Sequence, residues 1–179
     1  MVKRVFDLAF SLTAGIVFFI PVLIIVFIIK VFYHHPVIFY QERIGRNMQA
    51  FRILKFQTLI DEKPTTFGII LRKTGLDEIL QFWNVLKGEM SIVGPRPLTR
   101  KDIIRLGWET EYYYCRWKVK PGITGMAQIY GGQHKKTSWF WDKKYIATSN
   151  VFLDFYYLCI SFMMNLFGKK KIRRLIRRD

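Results

Sequence analysis

The strongest constraint on the fold of this chain is an apolar run near its N-terminus. From Leu8 to Ile29, 22 consecutive residues carry no charge, and about 20 apolar residues suffice for a helix to cross a hydrocarbon core of about 30 Å. A segment of this kind belongs in a membrane. A cleaved signal peptide is a poor alternative, because the run is too long and no A-x-A-like cleavage site follows it.

Pro21 interrupts this run and argues against a straight transmembrane helix. Its ring removes a backbone donor and crowds the preceding turn, so it breaks or kinks a helix. Lys3 and Arg4 precede the run and Lys30 follows it, and the positive-inside rule favours both ends in the cytoplasm. A re-entrant segment that turns back within one leaflet is therefore favoured, with a simple span as the alternative.

The composition of the whole chain is both apolar and cationic. Of the 179 residues, 51% are hydrophobic and 17% aromatic, and the net charge is +16. This length fits one domain. A cationic surface suits anionic lipid headgroups or nucleic acid, and the membrane segment favours lipid. Two distant cysteines and three histidines without ligand spacing predict neither a disulfide framework nor a zinc site.

An acidic pair, Asp77 and Glu78, is the first candidate for a functional site. Apolar residues at roughly helical spacing predict a helix over 76–86, and Gly75 is an acceptable N-cap residue, so the pair falls in the first turn. A helix N-terminus carries about half a positive charge, which keeps carboxylates ionised. Such carboxylates can bind Mg²⁺ or attack phosphorus. Acidic residues are also common in first turns without any function, so the pair alone is a weak signal.

Two arginines strengthen this signal. Arg72 precedes Asp77 by five residues, and Arg96 lies between two prolines, whose rings stiffen the loop over 94–97. Arginine binds phosphate oxygens in a bidentate manner. Two carboxylates and two arginines match a metal-bridged diphosphate, and an exposed arginine in an ordinary turn is the alternative.

The other patterns predict a small α+β domain. Short strands are expected over 36–40 and 51–56, and a second helix over 100–118. The stretch over 152–167 is nearly all apolar, but its sixteen residues are short for a membrane span. It is therefore predicted to be an interfacial helix, followed by a basic amphipathic end over 169–179.

Four separated segments resemble the small monotopic phosphoglycosyl transferases, the bacterial sugar transferase family. They are PVIFYQERIG over 36–45, FRILKF over 51–56, GLDEILQFWNVLKGEMSIVGPRP over 75–97 and KPGITGMAQ over 120–128. Asp142, Tyr145 and Asp154 also fall where the family has an aspartate, a tyrosine and a later aspartate. Four motifs in the expected order are far more specific than any one of them.

The resemblance implies an enzyme that transfers a phosphosugar from a UDP-sugar to polyprenyl phosphate, such as undecaprenyl phosphate, and releases UMP. This would be the first membrane step of glycoconjugate or polysaccharide biosynthesis. Asp77 would attack the phosphorus and form an aspartyl phosphosugar, and Glu78 would join Asp77 in holding Mg²⁺ as the cofactor. Five further residues are predicted to contact the substrates: Lys55, Arg72, Arg96, Thr124 and Gln128.

The resemblance also implies a monotopic protein of the bacterial inner membrane, with its catalytic domain on the cytoplasmic face. The family breaks its re-entrant helix at a Ser-Pro pair; Ile20 replaces that serine, so the break depends on Pro21 and on neighbouring protein. The predicted division of this single domain is a re-entrant helix over 1–33, a catalytic part over 34–151, and an interfacial helix with a basic tail over 152–179. Anionic membrane lipids are expected partners, nucleic acid is not, and a homo-oligomer is left open.

Some features leave alternatives open. An arginine that the family often carries after the Ala-Gln pair is absent from the stretch over 131–134, and the sequence does not name the sugar. A non-catalytic, basic membrane adaptor or a nucleic-acid-binding protein would explain the charge but not the acidic pair. A family member that retains the fold without activity is the other alternative.

Overall fold

The fold is α+β, as predicted, and a computed structural model describes residues 2–131 and 135–176. Its helices are α1 (Val2–Val17), α2 (Phe19–Ile28), α3 (Thr66–Thr74), α4 (Gln81–Lys87), α5 (Arg100–Leu106), α6 (Met126–Tyr130), α7 (Lys135–Thr148), α8 (Val151–Phe167) and α9 (Lys169–Ile176). Its strands are β1 (Ile38–Ile44), β2 (Ala50–Phe56), β3 (Leu59–Ile60), β4 (Lys63–Pro64), β5 (Ser91–Val93) and β6 (Gly122–Thr124).

The strands form small two-stranded sheets. β1 and β2 pair antiparallel from Ile38 opposite Phe56 to Ile44 opposite Ala50, so this hairpin extends further toward its turn than the sequence predicted. β3 and β4 form a second, shorter antiparallel pair. β5 and β6 are parallel, with Val93 opposite Thr124, and this pairing joins two motifs that lie far apart in the sequence.

Glycines allow these two motifs to approach each other through their backbones. A Cβ atom on Gly122 would lie 2.1 Å from the Gly94 nitrogen, and one on Gly125 would lie 2.1 Å from the Gly94 oxygen. Real Cβ atoms do not come this close, so only glycine fits here. The loop over 94–97 is therefore held directly against the turn over 120–128.

The two N-terminal helices are bent by 56° relative to each other. Pro21 is the third residue of α2. It has no N–H to donate to the carbonyl four residues earlier, and its ring crowds that carbonyl. The carbonyl belongs to Val17, the last residue of α1. The predicted break is thus present, a few residues before the proline. In the described part of the chain no single helix is both long and apolar enough to cross a membrane. The bent pair meets that requirement of length and composition only when its helices are taken together.

Charged residues of α1 form hydrogen bonds and an ion pair with the rest of the protein. The buried Asp7 carboxylate accepts hydrogen bonds from the Ser91 hydroxyl (2.9 Å) and from the next backbone N–H (3.0 Å). Lys3 forms an ion pair with the buried Asp154 carboxylate. Arg4 donates to the two carbonyls at residues 85 and 86 in the last turn of α4, at 2.6 and 2.8 Å. Lys3 and Arg4, which the sequence showed only as charges flanking the apolar run, therefore hold α1 in place.

Two of the predicted helices are shorter in the structure than the sequence predicted. The segment predicted as one helix over 76–86 follows Gly75, which ends α3 in a left-handed conformation (φ 76°). It begins as a 3₁₀ turn at Leu76–Glu78, and α4 starts only at Gln81. The helix predicted over 100–118 ends at Leu106 before Gly107 (φ 62°), and a 3₁₀ segment, Glu111–Lys118, follows. Both predictions were therefore too long.

The C-terminal helices confirm the predicted helical stretches, and Gly168 (φ 91°) separates α8 from α9. Ile160 and Ile172 are buried in the same apolar cluster as Phe6 of α1 and Val85 of α4. The division into 1–33, 34–151 and 152–179 stays a prediction, but both ends of the described chain share a core with its middle.

Candidate functional site

The acidic pair lies in the tight turn between α3 and α4. Asp77 is buried, with 9% of its surface exposed, and burial is the main cause that raises the pKa of its carboxyl group. The neighbouring Glu78 raises this pKa further, while Lys55 and Arg72 lower it. A helix N-terminus was expected to stabilise the charged carboxylate, but desolvation by burial outweighs the stabilising charges, so the net shift of the Asp77 pKa is upward.

Lys55 on β2 is the direct partner of Glu78. Its ammonium nitrogen donates to Glu78 Oε1 at 2.5 Å. Because Lys55 also acts electrostatically on Asp77, one cation partly neutralises both carboxylates. The sequence grouped these three residues into one site, and the structure brings them together.

A small cleft opens beside Glu78, whereas Asp77 is not among the residues that line it. Its polar lining is formed by Arg43, Lys55, Glu78, Gln81, Arg96 and Gln128, and its remaining walls by Ile53, Pro97, Gly122 and Ile123. Lys55, Arg96 and Gln128 were predicted to contact the substrates. Arg43 and Gln81 were not predicted, although Arg43 lies in the Gln-Glu-Arg motif and Gln81 follows Asp77 by four residues.

Three polar atoms of this lining are left without a hydrogen-bond partner. Within residues 2–131 and 135–176, Arg43 Nε, Gln81 Nε2 and Gln128 Oε1 are buried and unpaired. A buried polar group without a partner costs about 1–3 kcal/mol, so several in one cleft call for an explanation. A polar ligand that both accepts and donates hydrogen bonds would satisfy them.

The cleft also gathers positive charge. Burial lowers the pKa of the Arg43 guanidinium, and the nearby charge of Arg96 lowers it further, whereas Asp102 and Glu78 act in the opposite direction. Two guanidinium groups close enough to repel each other are stabilised by an anion, and their geometry suits phosphate oxygens.

A buried ion pair holds the loop that carries Arg96. Arg116 Nε donates to Asp142 Oδ2 at 2.9 Å, and Arg116 Nη2 donates to the Arg96 carbonyl at 2.6 Å. The guanidinium carbon lies 5.0 Å from the Trp108 ring centroid and 4.7 Å from that of Trp117. Arg116 was not predicted to have this role, because it lies within a stretch whose aromatic residues predict packing only.

Other predicted residues lie outside the cleft. Arg72 is exposed on α3, where its Nε donates to Thr58 Oγ1 at 2.9 Å, and it lines a different groove. The Thr124 hydroxyl is hydrogen-bonded to that of Ser161. The stretch over 131–134 lacks an arginine that the family often carries, and its residues 132–134 lie outside the described residues. The roles predicted for these positions stay predictions.

The carboxylate pair is compatible with a Mg²⁺ ion that also binds a substrate. In the described parts of the chain, no group of three or more histidine, cysteine, aspartate or glutamate residues could hold a metal ion by itself. Mg²⁺ does not require such a group, because it usually takes one or two carboxylates together with substrate phosphates and water. Asp77 and Glu78 fit that donor set.

Comparison with known proteins gives a consistent family. The family model described as bacterial sugar transferase matches residues 1–168. The chain is 35% identical over 179 residues to the uncharacterized sugar transferase EpsL of Bacillus subtilis. The aligned region covers 90% of this chain and 85% of that protein.

Two longer relatives carry descriptions of a reaction. The UDP-N-acetylgalactosamine-undecaprenyl-phosphate N-acetylgalactosaminephosphotransferase of Aeromonas hydrophila is 35% identical over 145 residues, covering 73% of this chain and 34% of that protein. The UDP-glucose:undecaprenyl-phosphate glucose-1-phosphate transferase of Klebsiella pneumoniae is 37% identical over 143 residues, covering 72% and 31%. This chain thus spans about a third of each longer relative but most of EpsL. Because the family model matches almost the whole chain, the protein belongs to the bacterial sugar transferase family.

Proposed function

We propose that this protein transfers a phosphosugar from a UDP-sugar to undecaprenyl phosphate, producing undecaprenyl-diphosphate-sugar and UMP. The cleft carries this proposal, because it places Lys55, Arg43 and Arg96 around Glu78, the direct neighbour of Asp77. The descriptions of two relatives support the same substrates, but they differ in the sugar, N-acetylgalactosamine or glucose. The sugar is therefore not part of the proposal.

Asp77 is proposed as the nucleophile in a two-step transfer. One of its carboxylate oxygens attacks the phosphorus next to the sugar, and the bond from that phosphorus to the bridging oxygen breaks. UMP leaves with the electron pair of the broken bond. An oxygen of the acceptor phosphate then attacks the same phosphorus, and the Asp77 carboxylate is released. No net proton transfer is required, and each step is easier than a direct transfer between two anions.

Positive charge around the cleft lowers the cost of bringing anions together. Arg43 and Arg96 are proposed to bind phosphate oxygens, and Lys55 to offset the charge on both carboxylates. Gln81 and Gln128 would pair their buried amide groups with the nucleotide or the sugar. Asp77 and Glu78 would hold Mg²⁺, which when bound would neutralise part of the diphosphate charge.

The test of this function is a substrate panel. Detergent-solubilised protein is mixed with Mg²⁺, undecaprenyl phosphate and one UDP-sugar at a time, and UMP is measured. We expect multiple turnovers with at least one sugar, and at most one equivalent of UMP without the acceptor. If no UMP forms with any sugar, the proposed activity is contradicted. A non-catalytic adaptor or an inactive family member then becomes the better interpretation.

We also propose that α1 and α2 form a re-entrant membrane segment on the cytoplasmic side of the bacterial inner membrane. The residues around the bend are apolar and exposed; Ile16 is 79% and Ile20 65% exposed. Both ends of the pair pack against the same domain, through Asp7 at one end and Ile29 at the other. A segment held in this way cannot easily place its ends on opposite sides of a bilayer.

Labelling tests this topology. In a Cys115→Ser/Cys159→Ser background, single cysteines are introduced as Val2→Cys or Val31→Cys and treated with an impermeant thiol reagent from one side of sealed vesicles. Labelling of both positions from the same side is expected. Labelling from opposite sides would establish a span instead of a re-entrant segment.

A further inference from the structure

A second groove lies between the end of α3 and the junction of α8 and α9. We call it the basic groove, and its polar lining is Arg72, Lys73, Asn165, Lys169, Lys170 and Lys171. It has no lining residue in common with the cleft. Five of these six side chains are cationic, and none of its described lining residues is acidic. We propose that the basic groove binds the phosphate group of the polyprenyl acceptor, an inference that rests on the function proposed above.

The basic groove reaches the turn that carries the nucleophile. Arg72 is close enough to Asp77 for its charge to act on that carboxylate. Gly75, two residues before Asp77, packs against Asn165 of the groove, because a Cβ atom at Gly75 would lie 3.0 Å from Asn165 Nδ2. The turn is therefore bordered by two sites, the cleft on the side of Glu78 and the basic groove on the side of Arg72.

The surface beside the basic groove matches the rest of the acceptor. Phe167 lines the groove, and Lys171 Nζ lies 5.9 Å from its ring centroid. On the same helix, Phe162 and Leu166 are exposed. A cationic groove next to an exposed apolar helix face fits an amphiphile with a phosphate headgroup and a hydrocarbon chain. A UDP-sugar has no hydrocarbon chain, so this surface does not match the donor.

This placement changes the role expected for Arg72. Arg72 was predicted to bind the donor diphosphate together with Arg96, but of these two arginines only Arg96 lines the cleft. Bulk anionic phospholipid would also complement the lysines. The contact of the groove with the Asp77 turn favours the acceptor, because the acceptor phosphate must reach Asp77 and a bulk lipid need not.

The experiment neutralises the lysines in the full chain. The Lys169→Gln/Lys170→Gln/Lys171→Gln variant is compared, in nanodiscs of phosphatidylcholine, with a Lys63→Gln/Lys101→Gln/Lys143→Gln control that loses the same charge from exposed positions elsewhere. We expect the KM for undecaprenyl phosphate to rise about tenfold in the groove variant, equivalent to about 1.4 kcal/mol. The KM for the UDP-sugar and the single equivalent of UMP released without acceptor should match the control.

Binding is also measured without any UDP-sugar, so that it does not depend on turnover. Undecaprenyl phosphate should bind about tenfold more weakly to the groove variant than to the control, while undecaprenol, which lacks the phosphate, should bind both equally. If both KM values rise together, or if acceptor binding is unchanged while phosphatidylglycerol binding falls, the inference is overturned. A third outcome separates the two proposals. If acceptor binding depends on the lysines but the protein releases no UMP, the proposed reaction is disproved and the proposed binding site is still supported.

Discussion

Replacing Asp77 with asparagine is expected to lower kcat at least about 10³-fold, as the loss of a covalent nucleophile does in other enzymes. The amide has nearly the same shape, so the turn and the cleft should be retained. Since burial raises the pKa of the Asp77 carboxyl, its charged form is poorly accommodated by the fold. The neutral variant should therefore be at least as stable as the parent protein. UMP release measures the activity, and mass spectrometry after incubation with donor alone measures the covalent adduct.

Asp61→Asn is the matched control for this experiment, because Asp61 is exposed and outside the cleft. It should retain full activity and form the adduct. Turnover by Asp77→Asn at more than about a tenth of the parental rate, or an adduct on that variant, would exclude Asp77 as the nucleophile.

The raised pKa of Asp77 also predicts the acid side of the pH profile. The carboxyl must lose its proton to attack phosphorus, so kcat/KM should fall as the pH decreases through its pKa, above the ordinary value of 3.8. Glu78 raises this pKa and Lys55 lowers it. Glu78→Gln should therefore move the acid limb to lower pH, and Lys55→Met should move it to higher pH. Shifts of both variants in the same direction would contradict this assignment.

Replacing Arg116 with glutamine is expected to have the largest effect on stability, a loss of about 3 kcal/mol or more. The reason is that Asp142 would remain buried without its cation. Burial already raises the pKa of Asp142 and Arg116 opposes that shift, so the variant should take up a proton at this carboxyl on folding. The Arg96 carbonyl also loses its donor, and we expect the KM for the UDP-sugar to rise. Denaturant unfolding in detergent and steady-state kinetics measure the two effects.

Arg105→Gln is the control for this substitution, because Arg105 is 74% exposed and pairs with Asp102 at 2.8 Å on the surface. Exposed pairs contribute less than about 1 kcal/mol. An Arg116→Met/Asp142→Leu variant removes both buried charges and should be more stable than Arg116→Gln alone. Equal stability of Arg116→Gln and Arg105→Gln would show that the buried pair does not hold the Arg96 loop.

Local sequence pattern predicted those features of the fold that depend on neighbouring residues. The steric effect of Pro21 acts within one helical turn, so a break near it could be expected. The hairpin of β1 and β2 follows from two apolar segments around a turn. The lengths of the helices were less accessible. Gly107 ends α5 in a left-handed conformation, and Leu76–Glu78 forms a 3₁₀ turn before α4 begins, and a count of apolar positions detects neither.

The sequence by itself determined the family and the residues that could form a site, including Asp77, Glu78, Lys55 and Arg96, because their chemistry is visible in the motifs. Only the tertiary structure decided how these residues are grouped. It added Arg43 and Gln81 to the cleft, and it placed Arg72 in a separate groove. It also raised the pKa of Asp77. The physical reason is that desolvation and the meeting of charges depend on segments tens of residues apart, and only their packing brings them together.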